Sequence, residues 1–146
     1  METVSLAHTF QVSATPEAVY AHLCNPANYV GLNPNVVAVR DIQEHEDTTE
    51  FVAIERLRWL GIVVTTTPIF ITIRPEKPQK TVTYEIRGRG GVQARIATEI
   101  TADGDAAEVR ETFTVQMPAL LRRAVTRSTR AAMPKRAEEL TARFGR

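Results

Sequence analysis

The sequence predicts an α+β fold in which a seven-stranded, curved antiparallel sheet wraps round a long C-terminal helix. Three observations predict it. Apolar and polar residues alternate from Val4 to Val12, and again almost without a break from Val36 to Met117, in runs joined by turns too short for parallel pairing. Two short helical signals separate the first run from the others. The stretch from Pro118 to Phe144 has no glycine and is rich in Ala, Leu and Arg, as one long helix would be.

Taken in order, Val4, Leu6, His8, Phe10 and Val12 form the inner face of the first strand, with His8 its polar member. Thr15-Pro16-Glu17 starts a helix with a capping hydroxyl, a proline at the first position and an acid near the positive end. Val19 and Leu23, four apart, supply its buried stripe. Asn25-Pro26 stops it and begins a second short helix through Tyr29, which Gly31 and Pro34 end. The remaining strands are read as Val36–Glu46, Glu50–Leu60, Ile62–Arg74, Thr81–Arg87, Val92–Thr101 and Glu108–Met117. Gly88-Arg89-Gly90-Gly91 lacks the spacing and the strand-to-helix setting of a phosphate loop and reads as a hairpin turn.

Helical spacing divides the last stretch in two. Leu121, Ala124, Val125, Ser128, Ala131 and Ala132 share one face, with Arg122, Arg123, Arg127 and Arg130 opposite. Met133, Ala137, Leu140 and Phe144 make a second stripe, rotated by roughly 140° from the first. Pro134 lies at the join, where a missing N–H and ring crowding predict a break, kink or bulge.

The chain, 146 residues with 43% hydrophobic and 24% charged content, reads as one domain, 1–146, with an aliphatic core and few aromatics. A single cysteine, Cys24, excludes an intrachain disulfide framework and fits a reducing compartment. Met1-Glu2-Thr3-Val4 does not begin a secretory signal, and no run approaches the ~18 apolar residues of a membrane span, so a cytoplasmic location is expected. From Pro118 onward eight Arg or Lys face two Glu, net +6, while the rest carries −5. The simpler reading is a solvated helix face whose arginines answer the body's acids. Transient contact of this basic helix with an anionic membrane is the alternative. No aromatics interleave with the arginines, so nucleic acid is not an expected partner.

Val12-Ser13-Ala14-Thr15-Pro16-Glu17-Ala18-Val19-Tyr20, Asn25-Pro26-Ala27-Asn28-Tyr29 and Pro34-Asn35-Val36, in this order of elements, resemble the opening of the START-like, or SRPBCC, superfamily. That superfamily includes Bet v 1-like allergens and the polyketide cyclase/dehydrase and lipid-transport proteins. The resemblance implies a helix-grip fold with a deep, mainly apolar cavity between sheet and terminal helix.

Catalytic motifs are absent. His8, His22 and His45 have no metal-ligand spacing, Cys24 has no CxxC partner, and neither a metal nor a cofactor is expected. His8 reads more simply as a hydrogen-bonded core histidine than as a general base. The inward sets are Val63, Thr65, Thr67, Ile69, Ile71 and Ile73; Val82, Tyr84 and Ile86; Val92, Ala94, Ile96, Thr98 and Ile100; and Val109, Glu111, Phe113, Val115 and Met117. Phe51, Ala53, Glu55, Leu57 and Trp59 share a face, which makes Glu55 either a buried carboxylate in need of a base or a proton, or a solvated residue at the cavity mouth.

Two functions follow. The first is binding or transport of an apolar small molecule (lipid, isoprenoid or polyketide), by a monomer or dimer. The contacts would come from Tyr29, Glu55, Leu57, Trp59, Thr65 and Thr67; from Ile69, Ile71, Tyr84, Ile86 and Thr98; and from Phe113, Ala124 and Ser128. The second is a cyclase/aromatase acting on a poly-β-ketone. Cyclases of the superfamily carry an inward arginine where this sequence has Ile71 and a tyrosine near the position of Val36, while the aromatic of the second short helix is kept as Tyr29. These departures favour binding. A protein-partner module using the basic helix is a third class.

Overall fold

The structure, a computed structural model, describes residues 1–59 and 62–145, of which the side chains at 57–59, 63 and 64 lie outside the description. Strand β1 (Glu2–Val12) alternates between half-buried and exposed residues along its length, as its sequence pattern requires. Helix α1 (Pro16–Cys24) starts where Thr15 Oγ1 accepts the Ala18 N–H at 3.1 Å, and it buries Val19, Tyr20 and Leu23. Asn25 ends it and caps a short 3₁₀ helix, Pro26–Tyr29, accepting from the Ala27 N–H at 3.0 Å. Gly31, at φ 91°, reverses the chain in a conformation that a side chain would strain.

Six strands follow: β2 (Val36–Glu44), β3 (Thr49–Trp59), β4 (Ile62–Glu76), β5 (Thr81–Arg87), β6 (Gln93–Asp103) and β7 (Ala106–Met117). They pair antiparallel in the order β1-β7-β6-β5-β4-β3-β2, so the first strand closes onto the last. Some ends differ from the sequence reading. β4 continues through Pro75, which faces Val82, because an extended proline costs a strand only its N–H. The β6–β7 pairing runs to Asp103–Ala106, leaving Gly104-Asp105 as the turn, with Gly104 at φ 62°. β2, at the sheet edge, is bulged twice and stops at Glu44.

Between β5 and β6 the residues Arg89–Gly91 form a short 3₁₀ turn, with Gly90 and Gly91 at positive φ. A Cβ on Gly90 would come within 3.4 Å of Leu121, so glycine lets this turn lie against the start of the terminal helix.

Helix α2 (Arg122–Phe144) runs through Pro134 as one element, so the proline does not interrupt it. Pro134 and Arg130, whose carbonyl loses its partner, are both exposed, so water can satisfy the freed group. The helix buries Met133, Arg136 and Leu140 against the sheet, and its arginines 122, 123, 127 and 130 are exposed. Near its end Arg143 donates to the carbonyls of Asn28 and Val30, both at 2.6 Å, and to the Glu139 carboxylate at 3.0 Å. The core runs from Val12 and α1 through the inner face of the sheet to Met133 and Leu140. Among the described residues no helix is long and apolar enough to cross a membrane.

Candidate functional site: a cavity under the first half of the terminal helix

A cavity of about 690 Å³ lies between the sheet and α2. Its floor is the inner face of the sheet, with Ile69, Ile86, Ala94, Ile96, Phe113 and Val115. Its roof runs from Leu121, just before α2, along the helix through Val125, Ser128, Thr129 and Ala132 to Arg136, a little past its midpoint. One rim is the segment Tyr29–Asn35 and the other is the glycine turn at 88–92. The small residues of α2 stand where longer side chains would fill the space.

The sheet register builds a polar cluster beside this apolar lining. His8 on β1 and Thr98 on β6 both lie directly opposite Glu111 on β7, so three adjacent strands place three polar side chains in one row. His8 Nε2 donates to Glu111 Oε1 at 3.0 Å, and Thr98 Oγ1 donates to Oε2 at 2.9 Å. From the helix above, Arg136 Nε donates to both oxygens, at 3.1 Å and 2.9 Å. Glu111 is fully buried and Arg136 is 3% exposed. Burial alone would raise the Glu111 carboxyl. The Arg136 charge, aided by hydrogen bonds from His8, Arg136 and Thr98, outweighs burial and holds it down at about 2. Burial likewise disfavours the Arg136 charge, and Glu111 restores it, keeping the guanidinium protonated.

Three aromatic rings pack next to this cluster, of which Tyr29 lines the cavity while Tyr84, expected as a contact, and Phe51 stand outside the lining. The Arg136 guanidinium lies 5.2 Å from the Tyr84 ring centroid, and Tyr84 stacks on Tyr29 at 5.6 Å. Phe51 meets Tyr29 edge-on at 5.6 Å. Burial raises the Tyr29 hydroxyl to about 12, so it stays protonated throughout the neutral range. Glu55 is half-buried in the cavity wall. Desolvation raises its carboxyl, and a hydrogen bond with Asn33 works the other way.

Of the residues singled out from the sequence, Tyr29, Glu55, Ile69, Ile86, Phe113 and Ser128 line the cavity. Thr67 and Ile71 share the inward parity of β4 and are buried, yet they stand outside the lining. Thr65 has the same parity at the open end of the strand and is exposed. Thr98 is committed to Glu111. Ala124 is exposed, because the face toward the cavity is centred on Val125, Thr129, Ala132 and Arg136, one residue further round. The side chains of Leu57 and Trp59 lie outside the described residues.

Tyr84 has a structural duty. Its hydroxyl donates to the carbonyl of Leu23, in the last turn of α1, and burial raises the hydroxyl's pKa. Tyr84→Phe is therefore expected to destabilise the fold by about 1–3 kcal/mol, because a buried carbonyl loses its donor. Urea unfolding would measure this, and a change below about 0.3 kcal/mol would show that the hydroxyl does not hold α1 to the sheet.

Arg136 was not expected. It follows Met133 by three and precedes Leu140 by four, so the signal was an arginine inside an apolar stripe, with an inward acid on β7 to meet it. The glycine turn at 88–92 and the Asn33–Asn35 rim were also missed, since loop residues carry no periodicity.

Residues 3–145 match the family described as polyketide cyclase / dehydrase and lipid transport. The chain belongs to that family. The START-like, SRPBCC-type assignment holds with it, and solved structures agree on the fold. One from Thermus thermophilus is 14% identical, with a TM-score of 0.75 and 97% of each chain covered. The Zhui aromatase/cyclase from Streptomyces sp. R1128 is also 14% identical, with a TM-score of 0.71 over 95% of this chain and 94% of its own. A START superfamily protein from Mycobacterium smegmatis is 10% identical, with a TM-score of 0.63 over 95% of this chain and 97% of its own. At these identities the likeness concerns the helix-grip fold. No curated protein matches the sequence.

Proposed function

We propose that this member of the family binds an apolar small molecule, a lipid, isoprenoid or polyketide, between the sheet and the first half of α2. The cavity itself carries the reading. Its size, about 690 Å³, is that of a ligand pocket, and its floor is aliphatic apart from Phe113. Its buried cation, Arg136, is tied to Glu111, and its other cations, Arg89 and Lys135, are exposed. Native mass spectrometry of the protein with a panel of long-chain lipids, isoprenoids and aromatic polyketides tests this, and uptake of at least one class is expected. Absence of uptake across the panel would reject it.

One observation supports cyclisation of a poly-β-ketone as a second reading. Glu55 is a half-buried carboxyl, raised toward neutrality, in the wall of an apolar cavity, as a general acid or base would need to be. Turnover of a linear poly-β-ketone that Glu55→Gln abolishes would favour it. Turnover unaffected by that change would remove Glu55 from any mechanism.

The proposed setting is cytoplasmic. Leu120, 94% exposed, precedes the exposed arginines 122 and 123, which supports transient docking of this end of α2 on an anionic membrane.

A further inference from the structure

The last turn of α2 closes on the segment that forms one rim of the cavity, where Tyr29 and the residues from Leu32 to Asn35 line it. The far end of that rim is tied to β3, where the Asn35 carbonyl accepts the Arg56 N–H at 2.7 Å. Its near end is tied by one side chain, Arg143. Nη1 donates to the Asn28 carbonyl and Nη2 to the Val30 carbonyl, both at 2.6 Å, while Nε donates to Glu139 at 3.0 Å. Gly31 lets the backbone pass so close that a Cβ there would stand 3.0 Å from Nη2.

Nη1 also lies 3.1 Å from Nε2 of His22, in the last turn of α1. A guanidinium can only donate, so the imidazole accepts, as a neutral ring with its proton on Nδ1. Protonation would set one N–H against another and bring a second positive charge up to the first. Phe144 packs edge-on against the same ring at 5.1 Å, so the disturbance would fall on the end of α2. The charges facing this contact come from α2, Arg143 itself and Glu139 beyond it. The 3₁₀ helix Pro26–Tyr29 brings none, and Glu17, at the start of α1, pairs with Lys80. Burial and the Arg143 charge both hold the ring below its ordinary value of 6.5. What the contact contributes is therefore fully present above 6.5 and is lost as pH falls through the lowered value.

We propose that Arg143 is the positioning residue of the cavity rim, clasping it to the end of α2 only while His22 is unprotonated, so that mild acid loosens the rim and releases an apolar ligand. The proposal rests on the reading of the cavity as a ligand site, and deepens it by naming its regulation.

Uptake of N-phenyl-1-naphthylamine, an uncharged apolar fluorophore, tests it between about pH 7.5 and about pH 4.5. Wild-type affinity should fall by about tenfold across this range, the scale of one hydrogen bond from a charged donor. In His22→Gln the amide oxygen can accept from Nη1 at every pH, so affinity should stay within about twofold of the wild-type value at the upper end. His8, His45 and the carboxyl groups are common to both proteins, so a difference between the two profiles belongs to His22. Amide hydrogen exchange at Gly31, Leu32 and Asn33, compared between the two proteins at equal pH, reads the rim directly. It should be faster in the wild type at the acid end alone, while the strands match. In Arg143→Met the His22 titration, followed by NMR, should move upward, because a neighbouring cation has gone.

Parallel binding profiles in wild type and His22→Gln, or equal exchange at the rim, would overturn the proposal. So would a wild-type affinity that does not fall with pH, or a His22 titration that Arg143→Met leaves in place. Faster exchange at the rim without uptake of the probe at any pH would reject the cavity reading, and the release of a ligand with it, and would leave the clasp standing.

Discussion

Glu111→Gln is expected to destabilise the protein by about 3–5 kcal/mol, because it leaves the Arg136 guanidinium charged, buried and without its counter-ion. Arg136→Met should cost a similar amount at neutral pH, for the opposite reason. Replacing both by apolar residues, as in Glu111→Leu/Arg136→Met, should cost much less than the two single changes added together, since neither charge is stranded. Urea unfolding midpoints measure all three. Single variants within about 1 kcal/mol of the wild type, or additive effects in the double variant, would contradict the account.

The pH dependence supplies an independent sign. In the folded protein the Glu111 carboxyl is held at about 2, below its ordinary value of 4.5. The stability it contributes is therefore fully present above about 4.5 and is lost as pH falls through that range toward 2, an amount of roughly 3 kcal/mol. In Arg136→Met, burial is left without its main opponent, so the carboxyl is expected to rise above its ordinary value. That variant should then gain stability as pH falls from the neutral range toward about 4.5, and Glu111 should give it no further change below that. Glu55 has a raised carboxyl in the wild type and acts with this second sign, so the comparison is cleanest in a Glu55→Gln background. The same downward slope in wild type and Arg136→Met would show that Arg136 does not set the Glu111 titration.

Ala94→Phe should lower affinity for apolar ligands by tenfold or more while leaving the unfolding temperature unchanged or raised. Ala94 lies in the cavity floor, paired with Ile86 on one side and Val115 on the other. An aromatic ring there would occupy space now open to a ligand, and would bury apolar surface against its neighbours. Thermal unfolding checks the second half of the expectation and calorimetry the first. Unchanged affinity in a folded variant would place the ligand elsewhere.

The strands were legible because one face of each is buried and the period of two survives in the sequence, even through Glu111 on β7. Thr15 and Asn25 were legible as caps because their side chains answer a local backbone need. The buried pair was half legible. Glu111 stood in an inward set, but Arg136 went unmatched because an arginine is normally assigned to the solvent face of a helix, and the acid that reverses this lies 25 residues away in the chain. Pro134 does not end the helix, and both it and Arg130, four residues before it, are exposed, where water can answer a freed carbonyl. The sites of Tyr84 and Thr98 depended on partners in α1 and β7, which local pattern does not name.

The pairing of β1 with β7 also bears on how the chain reaches this state. Glu2 lies opposite Met117 and Val12 opposite Ala107, so β1 has no sheet partner until more than ninety further residues have followed. Contacts of such long sequence separation must close a long loop before they form, which slows folding. Arg136 comes later still. Until α2 docks, Glu111 has neighbours able to hydrogen-bond to it but no counter-ion, which makes docking of the terminal helix the step at which the interior of the sheet becomes electrically neutral.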